Sequence, residues 1–173
     1  ILWLGALPSG PLCFGVDMAS DRSHASIVAL SSGVAELVEH RAGASWVVPR
    51  LVELCERWGP TALGVDATGP AATVADGLRS VPGIAERLVR LSGRDVATAC
   101  ALTYDRITEG KLGVRQHAAL EDAVLHASKR AYGQAWTFNR DRDGVSCVPL
   151  LALTVGLWAS EHGPVEVERS RIW

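Results

Sequence analysis

Three β-prone runs, residues 13–18, 24–30 and 34–40, follow one another with only the turns "ASDRS" and "SSG" between them. Connections that short reach only an antiparallel neighbour, so the chain opens as a three-stranded meander. The pattern then changes. Residues 45–58 carry Val47, Leu51, Leu54, Cys55 and Trp58 at helical spacing, with Ser45 placed to cap the helix and Pro49 tolerable in its first turn. Strand 62–66, helix 70–78, strand 87–91 and helix 96–109 follow in alternation, and strands joined through helices must run parallel. The fold class expected is α/β: a mixed sheet, antiparallel meander first and parallel βα units after it, with helices on both faces. Beyond it come "KLGVR", a helix through "HAALEDAVLHASKRAYG", a strand at 135–139, the polar loop "RDRDG" and an apolar helix over about 146–159.

A chain of 173 residues, 48% hydrophobic, fits one domain with a substantial core. The start without Met and the stretch "LPSGP" suggest a piece of something longer, with residues 1–11 a linker remnant and 12–173 the domain. A net charge of -2 provides no global basic field, so nucleic acid would be met at a local site. Cys13, Cys55, Cys100 and Cys147 are widely spaced without a CxxC, which reads as buried thiols in a reducing compartment. No apolar run reaches the roughly 18 residues of a membrane span, and no membrane partner is expected.

Two of the strands end alike, "FGVD" on Asp17 and "LGVD" on Asp66. In the expected sheet these strands lie side by side, and open sheets bind ligands beyond the carboxyl ends of their strands. Two carboxylates crowded at one edge repel, and a divalent cation compensates them. Oxygen donors without His or Cys favour Mg²⁺ or Mn²⁺, and two such ions suit attack of water on a phosphodiester. An Asp just past a strand also forms turns or caps helices, and "DATGP" fits that reading too.

A third carboxylate is expected from the last helix. The candidates are Asp141 and Asp143, and Asp143 would face the same way as Ser146 if that helix began a turn early. Asp143 fits a solvated turn as well. Lys129, Arg130, Arg140 and Arg142 cluster around the preceding strand as candidate phosphate contacts or as ordinary charged surface. Asp21 and His24 flank the first hairpin turn and suit solvent as well as a site. His117 and Asp122 read as helix residues, and Trp136, Phe138 and Trp158 as core.

The stretches "FGVDMASDRSHASIVAL", "ALGVDATGPAATVADGL", "ITEGKLGVRQHAALEDAVLHASKR" and "WTFNRDRDGVSCVPLLALTVGLW" resemble the nuclease domain of the large terminase subunit of tailed bacteriophages, particularly those of actinobacteria. That resemblance implies a ribonuclease-H-like fold. It also implies a metal-dependent endonuclease that cuts concatemeric double-stranded DNA during packaging, in the host bacterial cytoplasm. Asp17 and Asp66 would be its metal ligands, with Asp143 from the reading of the last helix as the candidate third, for two Mg²⁺ or Mn²⁺ ions. An N-terminal ATPase domain, a small terminase subunit and a portal would be partners of the intact protein. The sequence contains no GxxxxGK[ST] phosphate loop, so the ATPase part is absent from it. The chain departs from the family pattern at "SCVPLL", where Ser146 stands at the position of the expected third acid. The alternative is therefore a ribonuclease-H-like DNA-docking or regulatory domain without a complete metal site. An actin-like half-domain also begins with a strand, an Asp and a hairpin, but "DMASDRSH" lacks its glycine-rich phosphate turn.

Overall fold

The computed structural model describes residues 9–164 and the strand Leu2–Leu4; the other residues of the expected linker and the end of the expected domain, 165–173, lie outside the described residues. The strands are β1 (Leu2–Leu4), β2 (Leu12–Met18), β3 (His24–Ser31), β4 (Val34–Ala42), β5 (Ala62–Asp66), β6 (Leu88–Leu91) and β7 (Gly113–Arg115), joined in one sheet of order β1-β7-β4-β3-β2-β5-β6. β2, β3 and β4 form the expected antiparallel meander, while β5 and β6 add parallel to β2. Leu2–Leu4, inside the stretch expected as linker, pairs parallel with β7 at the sheet edge.

Helices cover both faces, as expected. Phe14, Val16 and Met18 of β2 point to one face, against Val47, Leu51 and Leu54 of α1 (Val47–Trp58) and Val74, Ala75 and Leu78 of α2 (Ala72–Leu78). On the other face lie α3 (Gly93–Thr108), α4 (Ala118–Leu125) and α5 (Val148–His162). α5 is apolar around nearly its whole circumference and correspondingly buried, with Pro149 accommodated in its first turn, where no intrahelical N–H is needed.

α5 lies almost on the backbone of the sheet. Gly15 and Gly64 are paired across β2 and β5, and a Cβ on either would collide with main-chain atoms of α5: Ala152 and Gly156 for Gly15, Val155 for Gly64. Each glycine stands two residues before an aspartate, so side-chain alternation puts both carboxylates on the α5 face. The repeated "GVD" thus seats the helix and aims the two acids.

Four local expectations change. Ser45 does not cap α1, whose first turn is preceded by Trp46 without a side-chain cap. α4 stops at Leu125, and residues 129–132, expected as its continuation, form β8 (Lys129–Tyr132), paired with β9 (Ala135–Phe138) across a two-residue turn with Gly133 at positive φ. The "RDRDG" loop is a second hairpin, β10 (Asp141–Arg142) with β11 (Val145–Ser146), turning at Asp143 and Gly144, both at positive φ. Two positive φ values in succession are the requirement of a type I′ turn, for which Asp-Gly is suited. Finally, α5 begins at Val148 rather than about 146, so the early helical turn that would have aimed Asp143 alongside Ser146 is absent.

Candidate metal centre

Asp17 and Asp66 end neighbouring parallel strands and are buried, 0% and 5% exposed. Asp66 is oriented by its own loop: Oδ1 accepts from Thr68 N at 2.9 Å, Thr68 Oγ1 at 2.8 Å and Gly69 N at 3.0 Å. It is a turn former, as one reading of "DATGP" held, and it does not cap α2. The turn engages only one oxygen. Oδ2 is left facing the Arg140 guanidinium, whose Nη2 donates to it at 3.0 Å.

Arg140 also binds the other acid. Its Nη2 donates to Asp17 Oδ1 at 3.3 Å, and its Nε lies 3.2 Å from Asp17 Oδ2. That second approach is close but misaligned, so both Asp17 Oδ2 and Arg140 Nε are buried without a hydrogen-bond partner. Burial raises the Asp17 pKa to about 6, against the lowering pull of Arg140 and with Asp66 adding to the rise. Burial acts to lower the Arg140 pKa, but the two carboxylates outweigh it and hold it above its ordinary value.

Asp143 is not brought to this pair. It projects from the β10–β11 turn with its side chain 80% exposed and its carboxylate 3.5 Å from Arg142 Nε. Ser146, at the foot of the same hairpin, is a polar contact of another kind: its Oγ lies 2.6 Å from His24 Nε2 and accepts from Val148 N at 3.3 Å. The other His24 nitrogen, Nδ1, meets Ser23 Oγ at 2.9 Å, and the ring stands edge-on to His40, whose Nδ1 meets Ser26 Oγ at 2.8 Å. His24 and Ser26 share one face of β3, and Ser26 pairs across the sheet with Asp17, so these polar groups border the acid pair. The His24–Ser146 contact joins residues 122 apart and has no local sequence signal.

The four basic residues have different places. Arg140 joins the acids, Arg142 pairs with Asp143, and Lys129 Nζ rests over Tyr104 and Trp136 at 4.2 and 4.3 Å from the ring centroids. Arg130 and Arg140 line a cleft of about 260 Å³ with Asp66, Tyr132 and Thr137. Asp21 accepts from Ser23 N in a solvent-exposed turn, and His117 accepts from Ala119 N as the cap of α4. Phe138 is buried in the core, with Trp136 and Trp158 packed against it.

Among the described residues no three His, Cys, Asp or Glu side chains are grouped to hold a metal. Two carboxylates already drawn together by a guanidinium do fit one hard cation, and Asp17 Oδ2 accepts no hydrogen bond although Arg140 Nε lies 3.2 Å away.

No family model and no curated protein sequence matches the chain. Solved structures do. The large terminase nuclease of thermophilic phage G20c with bound magnesium superposes at a TM-score of 0.68, with 18% identity over 86% of this chain and 81% of that one. The g2p (large terminase) nuclease domain of bacteriophage SPP1 with bound Mn gives 0.55, with 10% identity over 87% and 86%. The large terminase of a further thermophilic bacteriophage gives 0.61, with 12% identity over 92% of this chain and 42% of that one. The fold is that of the large-terminase nucleases. In this ribonuclease-H-like terminase-nuclease fold, Asp17 and Asp66 occupy two adjacent parallel strands and α5 the face they look onto.

Proposed function

We propose that this chain is the nuclease domain of a phage large terminase subunit, a metal-dependent endonuclease acting on concatemeric double-stranded DNA. The observation that carries the reading is the buried Asp17–Asp66 pair, converging on one cation at the carboxyl ends of adjacent parallel strands. A divalent ion held there, Mg²⁺ or Mn²⁺, would supply Lewis-acid polarisation of the phosphate and activation of water. The protein's own contribution is positioning. The Thr68–Gly69 turn fixes the Asp66 carboxylate, the sheet register fixes Asp17 beside it, and the adjoining cleft offers Arg130 to the DNA backbone. In the intact subunit an N-terminal ATPase motor would deliver the DNA, with a small terminase subunit and a portal as further partners. The site of action would be the host bacterial cytoplasm.

A two-ion site needs a further oxygen donor, proposed at Asp143 from sequence. The exposed turn position of Asp143 and the engagement of Ser146 with His24 favour the second reading, a DNA-docking domain with an incomplete site. One experiment separates them: nicking and linearisation of supercoiled plasmid in Mn²⁺, Mg²⁺ or EDTA. Under the nuclease reading the unmodified chain cuts in metal, and Asp17→Asn and Asp66→Asn each reduce cutting by about a hundredfold or more. Retained cutting in either variant removes the metal assignment. Under the second reading the unmodified chain is inert and Ser146→Asp, which returns a carboxylate to the foot of α5, gains metal-dependent cutting.

A further inference from the structure

Among the described residues Arg140 is the one cation on two buried acids, and its setting differs from that of a structural ion pair. A structural pair balances its charges, whereas two carboxylates against one guanidinium leave the site with a net negative charge in a region where unpaired charge is costly. A well-fitted guanidinium also presents parallel N–H groups to one carboxylate. Here Nη2 is divided between Asp17 and Asp66, while Nε and Asp17 Oδ2 approach without a hydrogen bond. Nη2 thus donates one hydrogen bond to each acid, and only the Nε approach to Asp17 is electrostatic rather than directional.

The group also has somewhere to go. Arg140 borders the 260 Å³ cleft, and its backbone is anchored independently of its side chain, because its carbonyl accepts from Cys147 N at 2.7 Å at the base of the β10–β11 hairpin. Gly69 leaves room for the pair on the other side, since a Cβ there would press on Asp66 Oδ2 and Arg140 Nη2.

We propose that Arg140 is a resident counter-ion occupying the cation position of this site, and that a divalent metal engages Asp17 and Asp66 only by displacing its guanidinium into the adjoining cleft. The inference rests on the reading of Asp17 and Asp66 as metal ligands. Arg140 is on this account a positioning residue: it holds the two acids converged in the metal-free protein and competes with the ion that replaces it.

The test is a calorimetric Mn²⁺ titration of the unmodified chain, Arg140→Gln, Arg140→Lys and Asp17→Asn, with folding checked by circular dichroism. Removing the competing charge should tighten Mn²⁺ binding in Arg140→Gln by about tenfold or more, while Arg140→Lys, which keeps the charge, should stay near the unmodified affinity. A merely structural arginine would give the opposite sign, because its loss would disorder the ligands. Equal or weaker binding by folded Arg140→Gln overturns the proposal. Should that variant fail to fold, the unmodified chain decides: the Arg140 Nε–H resonance should lose its protection from solvent exchange as Mg²⁺ saturates the site, and an unchanged resonance at saturation overturns the proposal. Mn²⁺ binding unaffected by Asp17→Asn removes the underlying metal-ligand reading instead, so the two failures are distinct.

Discussion

At Asp17 the opposing forces are visible in one carboxyl group. Burial raises its pKa from 3.8 to about 6 despite the attraction of Arg140. Because the folded value lies above the unfolded one, the folded state retains the proton to higher pH, and ionisation costs stability. That cost is absent below about pH 4, grows as pH rises to about 6 and is constant above it, where a shift of this size corresponds to about 3 kcal/mol. Asp17→Asn removes the cost and leaves Arg140 paired with Asp66. In EDTA near neutral pH the variant should therefore melt no lower than the unmodified chain, and its advantage should shrink towards pH 4. Thermal unfolding across that range measures it; a melting temperature well below the unmodified chain's at neutral pH would mean that Asp17 stabilises the metal-free fold. Proton and metal compete for the same oxygen, so Mn²⁺ affinity should fall by about tenfold per pH unit below about 6.

Between elements, the consequential contact is α5 on the two "GVD" strands. A methyl group on Gly15 or Gly64 meets helix backbone rather than a side-chain end that can turn aside, so the helix must lift. Gly15→Ala and Gly64→Ala should each lower stability by about 3 kcal/mol, near the upper end of overpacking costs, in urea unfolding. A cost under about 1 kcal/mol would mean that the close approach is not maintained in solution. The same contact explains what was legible in the sequence. The meander, the parallel crossovers and the neighbouring aspartates follow from run lengths and turn residues, which are local. Leu120, Val124, Ala127 and Ala131 continue a helical spacing past the true end of α4, but Lys129 is drawn onto Tyr104 and Trp136, and the chain enters β8 instead. That decision is tertiary. The second hairpin did carry a local signal, Asp143-Gly144, and its turn is what carries Asp143 out into solvent.

Across the whole molecule, the question is how strongly this domain holds DNA by itself. The overall charge is -2, and three of the four clustered basic residues already have a local role: Lys129 over two aromatic rings, Arg140 between two acids and Arg142 beside Asp143. Arg130 alone lines the cleft next to Asp66 without a carboxylate partner among the described residues. The arginine that sequence spacing grouped with its neighbours as a phosphate contact is thus part of the acid centre, a distinction that depends on a contact across 123 residues with Asp17. Duplex affinity depends on the number of phosphates neutralised, each contributing about -0.9 to the slope of log K against log salt. With one basic residue of this cluster left without a carboxylate beside the acid pair, the isolated chain should bind a DNA duplex weakly in EDTA, with a slope no steeper than about -2 if the cluster is its only contact. Fluorescence anisotropy over a salt series measures this, and Arg130→Gln should make the slope shallower by about one unit. A slope steeper than about -4 would require a second basic surface on this domain. A shallow slope, together with cutting that is stimulated when the rest of a large terminase subunit is supplied, would place the grip on DNA outside the chain that carries Asp17 and Asp66.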